Sequence, residues 1–493
     1  MPLLITLLGL FVLLLVVVLI RTFRFRPLGE TMQRAETVQL DEGAAIARFQ
    51  QMLRFPTVSY YDPDRVDRTA FDGFKEFLNN AYPHLKQRAV LSYHGDTGIL
   101  YHIAPRGGAT EPGASDDRPV VVLMSHYDVV PVDAAQWTHA PFGAELVDRD
   151  GERYVWGRGA LDTKSTLFAV VESVEHLLSH GYEPDCHLYL AFSGDEEISG
   201  QGAPSIVAHL ESQGIRPDLV LDEGGAIVQD IFPGVKKPAA MVGVGEKGYL
   251  DVELLLRTKG GHSSTPPKET SVASLAKAVV ALQNKPFPAH LGNEVRGMLD
   301  RMGRHSTFGL RLVLANLWLF RPLLLRVFGA MGGELAAMTR TTMAPTCMRA
   351  SEAFNVIPSE SAVGINLRLL SRDTVDSAIE RMRAIVRDER IDFHVIESRE
   401  ASKISRTDSR AWQTVKEAIG ATWGDVIVSP YLMVAATDSR HYGRISEHVL
   451  RFSAMPYTAE DLKLIHNHDE RIRTRVLLEA VQFYINLLKR WGE

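Results

Sequence analysis

The stretch Ser125-His126-Tyr127-Asp128-Val129-Val130-Pro131 follows an apolar run, residues 120–124, that contains only Val, Leu and Met. The β-branched residues of this run predict a buried strand, which Arg118-Pro119 bounds upstream. His126 and Asp128 therefore come directly after the end of the predicted strand. Because functional groups in open α/β sheets lie beyond the carboxyl ends of strands, similar side chains at other strand ends would mark a site.

Three further predicted strands are followed by acidic residues. Tyr154-Val155-Trp156 precedes Asp162, residues 187–192 precede Glu196 and Glu197, and residues 219–221 precede Asp222 and Glu223. Apolar residues at helical spacing predict helices over 165–180 and 202–212. Strands that alternate with such helices predict right-handed crossovers, and hence an α/β fold whose mixed, mostly parallel sheet is flanked by helices.

The pattern changes near residue 246. Leu250-Asp251-Val252-Glu253-Leu254 alternates apolar and charged residues, which is typical of a strand with one solvated face. After about residue 401 the strand and helix signals resemble those of the first part again. We therefore predict a main domain that is split into residues 35–246 and 401–493, with an α+β domain inserted at 247–400.

Residues 1–28 differ from the rest of the chain. Residues 2–20 carry no charge, are mostly Leu and Val, and have about the length needed to cross a bilayer. Without a small-residue cleavage pattern or a lipid-accepting Cys, an uncleaved membrane anchor is favoured over a removed signal peptide. Arg21, Arg24 and Arg26 follow the segment, so the positive-inside rule would leave the main body cytoplasmic. A translocated body is the alternative, because long domains cross regardless of local charge.

A second apolar segment, residues 308–331, lies inside the predicted insertion. Arg311, Arg321 and Arg326 interrupt it, so its longest uncharged run is too short to span a bilayer. One interpretation is a core helix. The other is an apolar wall for a hydrophobic substrate, or a surface that faces a membrane.

Composition restricts the chemistry. The 493 residues favour two domains, and the net charge of −6 without a long basic tract argues against nucleic-acid binding. The two cysteines, Cys186 and Cys347, form no CxxC pair, so a thiolate metal site is not expected. A metal would have to be held by His, Asp and Glu.

The acidic residues at the strand ends, together with a cluster at 465–470, suit such a metal site. Each has an ordinary explanation taken singly: Asp162 is placed to cap a helix, and Glu196-Glu197 is placed to be a solvated pair. Together, so many carboxylates in one crevice would repel each other unless cations were present. Imidazole and carboxylate ligands suit Zn²⁺, or Mn²⁺ or Co²⁺, and their number fits two ions bridged by one Asp.

These residues form motifs that resemble the M20 metallopeptidases, which include aminoacylase and carboxypeptidase relatives. The motifs are residues 126–131, 157–164, 194–197, 221–224, 261–264 and 466–470. Residues 314–320 and 354–358 are most similar to the branch that contains carboxypeptidase S and the N-fatty-acyl-amino acid synthase/hydrolases. The resemblance implies a zinc-peptidase catalytic domain and an inserted lid or dimerisation domain, with homodimerisation through the lid.

The resemblance also implies roles for single residues. His126 would bind one metal ion and Asp128 would orient its imidazole. Asp162 would bridge two ions, and Glu197 and His466 would bind the second. The remaining ligand would be Glu223, with Asp222 as the alternative. Glu196 is the expected general base and His262 the expected oxyanion donor. Because the product carries a carboxylate that needs a cation, Arg368 and Arg440 are candidates to bind it, and Asn355 is a candidate for a further contact with the substrate.

We therefore predict a two-zinc amidohydrolase of N-acyl amino acids, and the anchor and the 308–331 segment favour long acyl chains. The same residues could also catalyse the reverse reaction, which forms the amide. Short peptides, cleaved by a carboxypeptidase or dipeptidase, are the alternative substrates. The alternative outside enzymology is a membrane-anchored protein that binds metal without catalysis.

Overall fold

The computed structural model describes residues 2–29, 32–107, 117–230, 232 and 234–492. Its strands are, in chain order, β1 (Val90–His94), β2 (Gly98–Ile103), β3 (Val120–His126), β4 (Glu145–Arg149), β5 (Glu152–Trp156), β6 (His187–Ser193), β7 (Leu219–Val228), β8 (Ala239–Glu246), β9 (Gly248–Arg257), β10 (Gly261–His262), β11 (Thr342–Arg349), β12 (Val356–Ile357), β13 (Glu360–Leu369), β14 (Ile391–Arg399), β15 (Ile427–Met433), β16 (Val449–Tyr457) and β17 (Arg471–Arg473). Its α-helices are α1 (Pro2–Arg24), α2 (Glu42–Leu53), α3 (Arg68–Ala81), α4 (Pro83–Arg88), α5 (Lys164–Ser179), α6 (Gly202–Ser212), α7 (Ser271–Gln283), α8 (Asn293–Arg304), α9 (Phe308–Ala315), α10 (Leu317–Met331), α11 (Gly333–Ala337), α12 (Val375–Val386), α13 (Arg410–Trp423), α14 (Asp461–Leu464) and α15 (Thr474–Trp491).

Eight strands form the main sheet, in the order β1-β2-β6-β3-β7-β16-β8-β15. The four central strands β6, β3, β7 and β16 run parallel to one another, and β15 runs parallel to β8. The pairs β1–β2, β2–β6 and β8–β16 are antiparallel. The prediction of a mixed, mostly parallel sheet flanked by helices is therefore confirmed.

The apolar run that precedes His126 is explained by helices on both faces of the sheet. Val121 and Leu123 of β3 pack in a core shared with α2, α5 and α15. Val122 and Met124 point to the opposite face, where α6 packs. A strand that is buried on both faces needs apolar residues throughout rather than in alternation.

The prediction that residues 154–156 belong to the series of sheet strands is wrong. They lie in β5, which forms a separate three-stranded antiparallel sheet with β4 and β17. The cause is local: Asp150 and Gly151 connect β4 to β5 with φ angles of 54° and 80°. A two-residue Asp-Gly turn with both φ angles positive closes a tight hairpin, so β5 pairs with its neighbour in sequence.

A second sheet lies within residues 248–399. Its strands β11, β13, β9 and β14 are antiparallel, and α7 and α12 pack on one face. The chain leaves the main sheet at β8 and returns to it at β15. This arrangement supports the proposed insertion at 247–400.

α1 is long and apolar enough to cross a membrane by length and composition. Near its C-terminal end Val18 and Thr22 are buried against the rest of the protein. The Asn316 amide donates hydrogen bonds to the Val18 carbonyl and to Thr22 Oγ1, each at 3.2 Å. The end of α1 is therefore joined to the 308–331 segment.

That segment is not one helix. α9 and α10 meet at an angle of 111°, and the buried Asn316 lies at the corner. Leu314, Leu324 and Phe328 are buried, but Trp318 is 56% exposed and Met331 is 64% exposed. The core-helix interpretation therefore holds for one face only, and the opposite face presents apolar side chains to the surroundings.

A buried ion pair joins the strands that support the site. Arg451 Nε of β16 lies 2.6 Å from Glu246 Oε1 of β8, and both side chains are at most 2% exposed. Glu246 also accepts a hydrogen bond from Thr437 Oγ1 at 2.7 Å. Close by, the Ser439 backbone N–H donates to Asp222 Oδ2 of β7 at 2.9 Å. Strands β7, β8 and β16 are thus held together by buried polar contacts.

Replacing Glu246 with Gln leaves the Arg451 charge buried without its counter-ion. Breaking a buried pair in this way costs about 3–5 kcal/mol, so we expect a correspondingly lower free energy of unfolding in chemical denaturation. The exposed pair Lys403–Glu447 provides the control, because its side chains are 64% and 72% exposed. Glu447→Gln should change the free energy by less than about 1 kcal/mol. Equal effects of the two variants would contradict the role of the buried pair.

Candidate metal centre

His126, the last residue of β3, points its outer ring nitrogen at two carboxylates. The side chain is 2% exposed, and Nε2 lies 3.0 Å from Asp162 Oδ1 and 3.2 Å from Glu223 Oε1. The inner nitrogen Nδ1 lies 3.3 Å from Asp128 Oδ1. Nε2 is therefore the nitrogen that could bind a metal shared with Asp162 and Glu223.

His466 faces the other oxygen of the same aspartate. His466 follows α14 by two residues, and its Nε2 lies 3.0 Å from Asp162 Oδ2 and 3.1 Å from Glu197 Oε2. Asp162 thus presents one oxygen to each histidine. The five side chains of His126, Asp162, Glu197, Glu223 and His466 are called the His–carboxylate cluster below.

Asp128 contacts both His126 and the turn that carries Glu196 and Glu197. It is fully buried, and its carboxylate accepts the backbone N–H groups of Glu196 at 3.1 Å and of Glu197 at 3.2 Å. The same carboxylate lies beside His126 Nδ1. Asp128 therefore fixes both the imidazole and the turn that carries the two glutamates, which is the support that metal-binding histidines usually have.

Glu470 holds the loop that carries Asp162, and sequence reasoning gave it no role. Its buried carboxylate accepts the backbone N–H of Leu161 at 2.6 Å and of Asp162 at 3.2 Å, and Arg158 Nη1 lies 2.6 Å away. The sequence places Glu470 only four residues after His466. One short segment thus supplies a cluster histidine and also positions the aspartate that this histidine contacts.

The protein groups alone leave the cluster electrostatically strained. Burial, followed by the charge of Asp162, raises the pKa of Glu223 to about 8. Burial also raises the pKa of Glu196 well above its usual value. Burial opposes protonation of His126, but Glu223 and hydrogen bonds to Asp128 and Asp162 raise its pKa well above the usual value. Divalent cations among these groups would stabilise the charged carboxylates, and the nitrogen and oxygen donors suit zinc.

Two overlapping sets of donor atoms are compact enough to hold a metal ion. One set is His126, Asp162 and Glu197, and the other is His126, Glu196 and Glu223; within each set the atoms lie within 4.8 Å of one another. Glu196 therefore lies at the cluster, and its Oε1 is 3.8 Å from Arg440 Nη1. Its carboxylate could act on a molecule held there.

Asp222 does not face the cluster. It is 2% exposed, and its carboxylate accepts the Ser439 N–H beside the buried Glu246–Arg451 pair. Adjacent residues of a strand point to opposite faces, so β7 directs Glu223 to the cluster and Asp222 away from it. This geometry favours Glu223 over Asp222 as the metal ligand.

Arg440 lies beside Glu196, and two further arginines, Arg368 and Arg399, lie together on the second sheet. Arg440 donates from Nη1 to the Thr437 carbonyl at 2.6 Å. Arg368 of β13 and Arg399 of β14 lie over the Tyr249 ring, 4.7 Å and 5.0 Å from its centroid. Burial, followed by the charge of Arg440, lowers the pKa of Arg399. Sequence reasoning did not identify Arg399, which only the pairing of β14 with β9 places beside Tyr249.

His262 and Asn355 lie together on the short pair β10–β12, apart from the cluster. His262 of β10 pairs with Val356 of β12, and the Asn355 carbonyl accepts the Ser263 N–H at 3.0 Å. Both residues are exposed. Within the described residues, neither side chain hydrogen-bonds to a member of the His–carboxylate cluster.

The two candidate ligands on β7 can be separated by substitution. Glu223→Gln should lower the metal content of the purified protein, measured by elemental analysis after dialysis, because an amide is a poor substitute for a carboxylate ligand. Asp222→Asn, one residue away and equally conservative, is the matched control and should keep its metal. Metal loss in Asp222→Asn but not in Glu223→Gln would reverse the assignment.

The chain matches curated proteins along most of its length. It is 34% identical to the probable carboxypeptidase S-like 2 of Dictyostelium discoideum over 90% of this chain and 84% of the relative. It is 32% identical to the N-fatty-acyl-amino acid synthase/hydrolase of Xenopus tropicalis over 97% of this chain and 93% of the relative.

Solved structures share the fold. An M20 family metallo-carboxypeptidase from Sulfolobus solfataricus aligns with a TM-score of 0.63 at 18% identity, covering 92% of this chain and 100% of that one. Human carnosine dipeptidase 1 aligns with a TM-score of 0.59 at 14% identity, over 92% and 96% of the two chains. The model of peptidase family M20/M25/M40 matches residues 122–490. With this match and these curated relatives, the chain belongs to the M20 family and is a metal-dependent hydrolase of peptide or amide bonds.

Proposed function

We propose that this hydrolase uses two zinc ions to cleave, and reversibly form, the amide bond of N-acyl amino acids, with N-fatty-acyl amino acids as its main substrates. The observation that carries the two-metal proposal is Asp162, which presents one carboxylate oxygen to each of two histidines. The relatives named N-fatty-acyl-amino acid synthase/hydrolase support the substrate class.

The His–carboxylate cluster divides into two ligand sets. His126 and Glu223 would hold one ion, Glu197 and His466 the other, and Asp162 would bridge them; Mn²⁺ or Co²⁺ would suit the same donors. Bound at these positions, the ions would supply Lewis-acid activation of a water molecule and of the amide carbonyl. Asp128 would keep His126 Nε2 aimed at the first ion.

Glu196 is the proposed general base. Its carboxylate would take a proton as the water oxygen attacks the amide carbonyl carbon, and would give that proton to the nitrogen as the carbon–nitrogen bond breaks. The products are a carboxylic acid and an amino acid. A carboxyl group whose pKa is raised by burial is suited to carry a proton between two steps.

Substrates of this class carry a carboxylate, and a cation is needed to bind it. Arg440 is the leading candidate because its guanidinium lies beside Glu196. Arg368 would add positive charge from the inserted domain, and Asn355 would act from the lid.

His262 would stabilise the oxyanion from the lid of a second copy of the chain. Its exposure at the end of the inserted domain supports an action outside its own subunit, as does the adjacent Phe354, which is fully exposed. Homodimerisation through residues 247–400 would bring such an exposed tip to the partner's site.

α1 would anchor the chain in a membrane as a single span. Its length, its apolar composition and the attachment of its C-terminal end to α9 support an anchor that stays with the folded protein. The basic residues Arg21, Arg24 and Arg26 would then lie at one membrane surface.

Glu196→Gln should keep the metal but lose hydrolysis, because the amide cannot accept a proton. We expect a fall in kcat of about a hundredfold or more. Metal content is measured on the same sample. The exposed Glu389→Gln is the control and should match the unmodified protein. Full activity of Glu196→Gln would exclude this residue as the base.

The substrate class is tested by comparing kcat/KM for N-oleoyl-phenylalanine and for a blocked dipeptide of phenylalanine. We expect faster hydrolysis of the oleoyl compound. Faster hydrolysis of the dipeptide would favour a carboxypeptidase or dipeptidase, the activity suggested by the carboxypeptidase S-like relatives. Hydrolysis of neither compound by the metal-loaded protein would exclude both of these substrate classes.

A further inference from the structure

An apolar cavity of about 370 Å³ lies between the sheet and the helices of the 293–338 region. Its walls come from β7 and β8 on one side and from α8, α10 and α11 on the other. Five of the fourteen methionines of the chain line it: Met241, Met298, Met302, Met331 and Met338. Because methionine side chains are flexible and unbranched, such walls adapt to apolar groups of different length and shape.

The inner end of the cavity lies beside the metal centre. Gly224, which lines the cavity, directly follows Glu223 on β7, and Leu462, also in the lining, precedes His466 by four residues. Gly224 has a φ angle of 133°, which favours glycine. At Gly225 a Cβ atom would lie 1.8 Å from the Met241 carbonyl oxygen, so no side chain fits there. At Gly224 a Cβ atom would lie 2.6 Å from Met433 Sδ. The two glycines therefore allow β7 to pack closely against its neighbours, and the cavity wall begins directly after the cluster residue Glu223.

The outer end opens at the apolar face of α10. Met331 lines the cavity and is also 64% exposed. On the same helix Trp318, Leu323 and Val327 are 56%, 55% and 42% exposed. α10 begins at the Asn316 corner that holds the end of α1 and ends at Met331, so this helix runs from the proposed membrane anchor to the mouth of the cavity.

The charged groups in the lining are ion-paired, hydrogen-bonded or exposed. Lys237 forms an ion pair with Asp425, and Glu334 accepts a hydrogen bond from the Tyr431 hydroxyl. The remaining charged lining residue is Asp230, which is exposed. The lining therefore favours an uncharged chain over a free anionic group.

We propose that this cavity binds the acyl chain of an N-fatty-acyl amino acid, which enters beside Met331 at the exposed end of α10. The inference rests on the proposed function and names the part of the protein that selects long chains. With the chain in the cavity, the amide would lie at the His–carboxylate cluster and the amino-acid carboxylate on the side of Arg440. A volume of this size lies within the range of about 300–1,000 Å³ that is usual for ligand-binding cavities.

The test compares variants of the full chain in phosphatidylcholine nanodiscs. Met331→Trp and Leu335→Trp place a bulky ring at the outer end of the cavity, and both side chains are accessible enough for the core to stay intact. Val90→Trp is the matched control, because Val90 is 52% exposed on the edge strand β1 and lies outside the cavity lining. The readout is the ratio of kcat/KM for N-oleoyl-phenylalanine to that for N-acetyl-phenylalanine.

We expect this ratio to fall about tenfold or more in each cavity variant. A fall of this size follows when two methylenes of the oleoyl chain lose their apolar contacts with the protein. Val90→Trp should keep the ratio of the unmodified protein. An unchanged ratio in Met331→Trp and Leu335→Trp would overturn the inference. So would an unmodified protein that cleaves the acetyl but not the oleoyl compound, although the amidohydrolase proposal would stand. An unmodified protein that cleaves neither compound would refute the proposed function itself.

Discussion

The position of the Asp162 carboxylate between two imidazoles is the constraint on which the rest of the site depends. His126 arrives at the end of a buried parallel strand, and His466 arrives from the segment after β16. Asp162 can face both only if the loop before α5 is held rigidly. The buried Glu470 does this through the backbone N–H groups of that loop, while Arg158 compensates its charge. A carboxylate buried with this number of donors is well satisfied, which makes it a firm support for its neighbours.

The same constraint creates an electrostatic cost. Burial and the charges of neighbouring carboxylates raise the pKa values of Glu196 and Glu223, so these groups resist ionisation. A fold that retains such a cluster needs a compensating charge at that place. The membership of the chain in a metal-dependent family agrees with metal cations as that charge. Glu196, the proposed general base, would then be free to exchange a proton.

Much of this architecture could be predicted from the sequence, and the failures have physical causes. β3 was predictable because it is a short continuous apolar run, and α5 because its apolar residues recur at helical spacing. β5 was assigned to the wrong sheet because a short apolar run is compatible with either sheet, although Asp150-Gly151 indicated a hairpin. The supporting role of Glu470 and the position of Arg399 depend on tertiary contacts that no local pattern contains. The motif did not decide whether Glu223 or Asp222 is the metal ligand. The alternation of side chains along β7 favours Glu223.

Residues 293–338 contact both the end of α1 and the apolar cavity. Asn316 joins the bend between α9 and α10 to the end of α1, and the adaptable cavity lies between this region and the sheet. The proposed hydrolysis depends on a centre of two metal ions. Anomalous scattering from crystals of the zinc-loaded protein tests that centre most directly. We expect two peaks on opposite sides of Asp162, one beside His126 and one beside His466, about 3.5–4 Å apart. A single peak, or none beside Asp162, would contradict this expectation.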